Sequence, residues 1–168
     1  MRIDEKIYRI DALELAPKLL GMKLCRNIDG NIIKKRIVET EAYCGEEDTA
    51  CHAHKGKTAR TSVLYERGGI AYVYLCYGIH SLLNVVSGEE NNPQAVLIRG
   101  VESFEGPGKL TKAMKVDKSF NRENLITSLA LWIEDDGYKC DYETSKRIGI
   151  DYATKEYVNK PWRFIVKK

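Results

Sequence analysis

The chain has 168 residues, 43% of them hydrophobic, a size that suits one compact domain burying about 70% of the surface its unfolded form exposes. A net charge of +3 is too mild for a polyionic chain, the longest apolar runs fall far short of the ~20 residues of a membrane span, and no signal-peptide pattern is present, so a soluble cytosolic protein is expected. Five cysteines (Cys25, Cys44, Cys51, Cys76 and Cys140) form no C-x-x-C pair and leave an odd total, which fits reduced thiols and argues against a disulfide scaffold.

Asp11, with Glu14 three residues on and a Leu13, Ala16, Leu19, Leu20 pattern behind it, predicts a capped helix that bends or restarts at Pro17 and stops at Gly21. Met22 to Ile28 and Asn31 to Tyr43 follow as strands joined by Asp29-Gly30, a dipeptide that tolerates the positive φ of a tight hairpin. The second arm is the most informative stretch of the chain. Period-2 alternation places Ile37, Glu39, Glu41 and Tyr43 on one face and Val38, Thr40 and Ala42 on the other. Glu39 and Glu41 then lie roughly 7 Å apart along the strand, close enough to separate their pKa values if either is desolvated. Acid-base chemistry is one reading of the pair; an edge strand whose acids meet water or Lys34, Lys35 and Arg36 is the other.

From Cys44 to Gly69 the chain is charged and aperiodic, a loop long enough to carry function. His52 and His54 flank one residue near Cys51, but the ligand spacing of a closed metal site is absent. Ile70 to Tyr77 and His80 to Ser87 form a second predicted hairpin. Tyr72 and Tyr74 share one face of it, and Tyr77 sits at the tip beside Gly78, where an aromatic projects. Asn84 interrupts one apolar strand and Arg99 another, Gln94 to Val101. Buried polar groups require partners, and for Arg99 the candidates are Glu39 and Glu41. Basic residues gather at Lys34-Lys35-Arg36, at Lys55, Lys57 and Arg60, at Lys109, Lys112, Lys115 and Lys118, and at Lys167-Lys168, which allows a basic face.

Glu41-Ala42-Tyr43, the step to His52, Tyr72-Val73-Tyr74 with Tyr77-Gly78, then Asn84, Arg99 and Gly106-Pro107-Gly108-Lys109-Leu110 follow one another in an order and spacing that resemble the alkylpurine (3-methyladenine) DNA glycosylases of the mammalian alkyladenine type. The resemblance continues through Arg147-Ile148-Gly149 to Lys160-Pro161-Trp162-Arg163-Phe164 and so spans nearly the whole chain. It implies an α+β fold: a single mixed domain over residues 1–168, with short helices around a curved antiparallel β-sheet and a protruding β-hairpin that wedges DNA. It also implies an enzyme of base-excision repair, which flips a damaged purine out of double-stranded DNA and hydrolyses its N-glycosidic bond. By the same resemblance Glu41 is the general base, and Arg99 with the backbone carbonyl of Ile148 holds the attacking water. Tyr43, His52 and Tyr74 would sandwich the flipped base, Asn84 would clash with the 2-amino group of guanine, and Tyr77 would intercalate. No metal and no organic cofactor is implied. The protein is expected to act as a monomer on damaged DNA in the cytoplasm, at the nucleoid if its source is bacterial.

Three departures accompany the resemblance. Glu105-Gly106 runs directly into Pro107 where many members carry a longer segment, His80 replaces an aromatic after the wedge, and the long N-terminal extension of larger members is missing. Two other classes compete with it. An O-glycoside hydrolase could use Glu39 and Glu41, although two acids on one strand face crowd one side of a sugar. A non-catalytic damage-binding module would need the wedge but not Glu41.

Overall fold

The computed structural model describes residues 1–168. Its elements in chain order are α1 (Glu5–Tyr8), α2 (Ala12–Leu19), β1 (Lys23–Ile28), β2 (Asn31–Tyr43), β3 (Ala71–Cys76), β4 (His80–Ser87), β5 (Gln94–Val101), β6 (Phe104–Glu105), α3 (Pro107–Ala113), β7 (Leu131–Glu134), β8 (Tyr142–Ser145), α4 (Lys155–Val158) and β9 (Arg163–Val166). Single 3-10 turns at His52–Lys55, Thr61–Tyr65 and Lys118–Phe120 complete the set. The strands join one antiparallel sheet in the order β3-β4-β5-β2-β1-β7, with β6 added to β5 and a β8-β9 pair added to β2. β2 is the axis of this sheet because it changes partners along its length. Asn31–Arg36 pair with β1, whereas Glu39, Thr40 and Glu41 lie between β5 and β9. A strand that leaves one neighbour for others part-way along curves the sheet into a half-barrel, as the resemblance implies. No helix is long and apolar enough to cross a membrane.

Alternation along the strands builds two unlike faces. Ala71, Val73, Leu83, Val85, Val96 and Ile98 point into the main core, where Leu15 and Leu19 of α2 and Leu110 of α3 meet them. Their neighbours Tyr72, Val86 and Ala95 point the other way, onto Cys51, Ala53, Val63 and Leu64 from the segment between β2 and β3. Each large apolar side chain so buried contributes about 1.5 to 3 kcal/mol, so the long loop is fastened to the sheet and not free in solvent. Between loop and sheet lies the second face, which carries Glu41, Asn84 and Arg99.

One expectation fails on β2. Alternation put Ile37 beside Glu39 and Glu41, yet Ile37 lies in the main core with Ala42, on the side where the Thr40 hydroxyl donates to the Ala16 carbonyl at 2.8 Å. The cause is a double irregularity between β2 and β5, whose register shifts between Ile37 and Glu39 and again between Glu39 and Thr40. Ile37 pairs with Val101 and Thr40 with Ile98, so each strand takes an odd number of steps between two core-facing residues and its alternation reverses. The same irregularity brings Arg99 and Glu39 into contact.

The predicted helix also differs in how it starts. Asp11 makes no side-chain cap; instead Gln94 of β5 accepts the Ala12 N–H at 2.7 Å through Oε1 and donates to Asp11 at 3.1 Å through Nε2. An orphan helix donor is thus satisfied from the sheet, which ties α2 to β5. Pro17 is accommodated inside α2, which ends at Leu19, and Gly21 takes a φ of +88° as the chain turns into β1.

Candidate active site

Glu41 leaves β2 on the second face and is completely buried, at 0% exposure. A carboxylate so placed requires hydrogen bonds, and Glu41 has two: its Oε1 accepts the Tyr43 hydroxyl at 2.8 Å and its Oε2 accepts the Ile148 N–H at 2.7 Å. Arg99, from the facing strand β5, places Nε 3.8 Å from Glu41 but donates to Glu39 at 3.1 Å. Arg163 of β9 donates to the same Glu39 oxygen at 3.2 Å. The two acids are therefore in different situations, Glu39 held between two guanidinium groups and Glu41 sealed among neutral donors with the charges of Arg99 and Arg147 acting on it. Lys34 and Arg36 take no part, being paired with Glu134 and Asp136. Burial pushes the Glu41 carboxyl above its ordinary range, against the lowering pull of Arg99, the Ile148 N–H and the Tyr43 hydroxyl. A raised carboxyl is a stronger base once ionised, which is the property a general base needs.

Tyr43, Arg99 and Ile148, the three groups around Glu41, all line a cavity of about 650 Å³. His52, Tyr72, Tyr74 and Asn84 line it as well, Tyr72 and Asn84 in one row across the sheet with Leu97 and Glu41, and Tyr77 and His80 stand at its hairpin end. This volume lies within the range of small-molecule pockets. The three residues expected to sandwich a base all line the cavity. His52 and Tyr74 pack together with ring centroids 4.6 Å apart, and Tyr72 joins them by a 2.7 Å hydrogen bond between its hydroxyl and Nδ1 of His52. The Tyr43 ring packs on the Arg147 guanidinium at 4.8 Å. Burial, followed by the nearby charges of Arg60 and Lys55, lowers the His52 pKa to about 4, so the imidazole is neutral at neutral pH. His54 turns elsewhere, to the Glu46 carbonyl. Asn84 is buried, and its Nδ2 donates to the Tyr72 carbonyl at 3.2 Å.

β3 and β4 are joined by Tyr77, Gly78 and Ile79. Tyr77 (φ +53°) and Gly78 (φ +66°) form a left-handed turn closed by the Ile79 N–H donating to the Cys76 carbonyl at 3.1 Å. Gly78 adopts this conformation freely, whereas for a tyrosine it costs about 1 to 2 kcal/mol. Tyr77 is 91% exposed and Ile79 75%, so neither recovers that cost by packing within the fold.

Nothing in the sequence pattern marks Asp48, a lone acid in a charged loop. In the structure its carboxylate accepts two bonds from Arg147, at 2.6 and 2.9 Å, and both side chains are fully buried. Arg147 also donates to the carbonyls of Ala42 and Tyr157 and lies 4.9 Å from the Trp162 ring. Tyr152, equally unmarked, lines the cavity and donates to the Ala50 carbonyl at 2.7 Å. The contact of Ile148 with Glu41 is made by its N–H, a bond the resemblance does not include.

A buried carboxylate beneath an aromatic cavity on a half-barrel sheet defines a candidate hydrolase site, and comparison with known proteins agrees. Residues 6–168 match the methylpurine-DNA glycosylase family, and the chain belongs to that family. It is 46% identical over 179 aligned positions to a protein of Borreliella burgdorferi, the alignment covering 98% of this chain and 96% of that one. A protein of Natranaerobius thermophilus is 39% identical over 194 positions, covering 99% of this chain and 96% of its own. Both carry the name "Putative 3-methyladenine DNA glycosylase".

Proposed function

We propose that this chain is a monofunctional glycosylase of base-excision repair, which flips an alkylated purine from duplex DNA into the cavity and hydrolyses its N-glycosidic bond. The observation that carries the reading is the sealed Glu41 carboxylate, bonded to Tyr43 and Ile148 and facing the cavity only through groups that line it. Glu41 takes a proton from a water held by Arg99 and the Ile148 carbonyl. The water oxygen bonds to C1′, and the C1′–N bond breaks with its electron pair going to the purine. Positive charge builds on the sugar as that bond lengthens, and the same carboxylate favours it. A cationic alkylpurine leaves as a neutral base and the strand retains an abasic site. Tyr74 and His52 on one side and Tyr43 on the other hold the base, with a cation-π contribution of about 0.5 to 2 kcal/mol for a charged lesion. Asn84 selects against the guanine 2-amino group, and Tyr77 fills the vacated stack.

Glu41→Gln is expected to keep duplex binding and to lower single-turnover base release by ~10² to 10⁴. A Glu41→Gln variant that cuts near the wild-type rate, with Glu39→Gln inactive, would reverse the roles of the two acids.

A further inference from the structure

The buried Asp48–Arg147 pair is left unused by the mechanism above. Removing both charges from water is costly, and such pairs are often replaced by apolar groups with no loss of stability, so its presence calls for a reason in what it holds. Arg147 reaches Asp48 in the loop, the Ala42 carbonyl on β2, the Tyr157 carbonyl on α4 and the ring of Tyr43. Ala42 is the residue between Glu41 and Tyr43, and Ile148 is the next residue after Arg147. Both groups that donate to Glu41 are thus anchored at, or one residue from, a contact of this one guanidinium.

We propose that the Asp48–Arg147 pair is a positioning element for Glu41, holding the Tyr43 hydroxyl and the Ile148 N–H on its two carboxylate oxygens. The inference rests on the assignment of Glu41 as general base. Arg147 touches no reacting atom and acts through geometry and field. The other charged and titratable groups facing Glu41 are Tyr43 and Glu39 from its own strand, Arg99 from β5, Arg163 of β9 through Glu39, Tyr74 from β3, and Tyr152. Of these, Tyr43 and Tyr152 feel the Arg147 charge themselves. The Arg147 charge opposes the upward push that burial exerts on Glu41.

The test uses the full chain carrying ¹³C-labelled glutamate, so that the Glu41 carboxyl is titrated directly by NMR, beside single-turnover release of 3-methyladenine from duplex DNA. In Arg147→Met the charge and the anchoring of both donors are lost and the Glu41 titration moves up, whereas in Asp48→Asn the unopposed Arg147 charge counters the loosened donors and the titration moves less. Base release falls about 10- to 100-fold in both, with duplex affinity held within about threefold. Arg147→Lys keeps the charge without the two-pronged fork, so the loosened donors alone raise the titration while release falls. If a single variant fails to fold, the neutral double variant Asp48→Asn/Arg147→Gln decides, with a raised titration and slow release expected. A titration unmoved in Arg147→Lys and in the double variant, or wild-type release from the double variant, overturns the proposal and leaves the pair a tie of structure only. A wild-type chain that releases no base overturns the glycosylase reading, and the raised titrations of Arg147→Lys and the double variant still decide the positioning one.

Discussion

At the scale of single residues, Glu39 and Glu41 show how two like acids on one strand face acquire unlike properties. Glu39 accepts from Arg99 and Arg163, whereas Glu41 accepts from a hydroxyl and a backbone N–H in a fully buried place. The pH dependence follows from the direction of the Glu41 shift. Its folded pKa is raised above the ordinary 4.5, so between those values the folded state binds more protons than the unfolded one. The Glu41 contribution to stability is therefore fully present below about pH 4.5 and is lost as pH rises through the folded pKa. Activity runs the other way, because only the ionised carboxylate accepts a proton. Single-turnover release should lose rate as pH falls through a limb lying above the usual carboxylate range, and Glu41→Gln should abolish that limb. A limb at or below the ordinary value would place the base elsewhere.

At the scale of elements, the hairpin between β3 and β4 offers the clearest separation of fold from function. Tyr77 carries backbone strain in the left-handed region and buries almost nothing. Tyr77→Ala should leave the melting temperature nearly unchanged, and Tyr77→Gly should match or exceed wild-type stability. Both should forfeit about 1 to 3 kcal/mol of base-aromatic stacking, read as reduced fluorescence of a base analogue reporting extrusion in a lesion duplex. A large fall in stability for Tyr77→Ala would assign the residue to the core instead. This hairpin was legible in the sequence because alternation and a Tyr-Gly tip state it locally, and the same holds for β1, β2 and their Asp29-Gly30 turn. The inward turn of Ile37 is not legible on those terms. A paired irregularity on two strands depends on both partners at once, and neither strand shows it alone. β8 has exposed residues at Tyr142, Glu143 and Thr144 and no alternation to find, and Asp48 acquires its role only from an arginine 99 positions away.

At the scale of the whole molecule, one sheet with two covered faces divides the labour. Its main core stabilises the fold, and its second face, roofed by the β2–β3 loop and the segment around Ile148, holds the cavity. The groups set about Glu41 are a tyrosine, a backbone N–H and arginines, with no lysine among them. An amine nucleophile would have to be deprotonated and aimed at C1′, and the lining Lys109 has no hydrogen bond or acid that directs it there. Borohydride added during turnover should trap no protein-DNA adduct, and the product should be an intact abasic strand. Efficient trapping would mean a lyase.

His52, kept neutral by its burial against Tyr72 and Tyr74, makes the cavity a poor source of protons at neutral pH. A purine already carrying a positive charge departs without needing a proton; an uncharged one must leave as an anion or wait for a proton from solvent. Release of 3-methyladenine should therefore outpace release of hypoxanthine by about 10²-fold or more at pH 7, the scale of a missing general acid, and the ratio should narrow as the medium is acidified. Equal rates would require a donor that His52 does not provide. If the cavity works as proposed, a cell that depended on it alone would clear charged lesions faster than uncharged ones, and the solvation of a single imidazole would set that order.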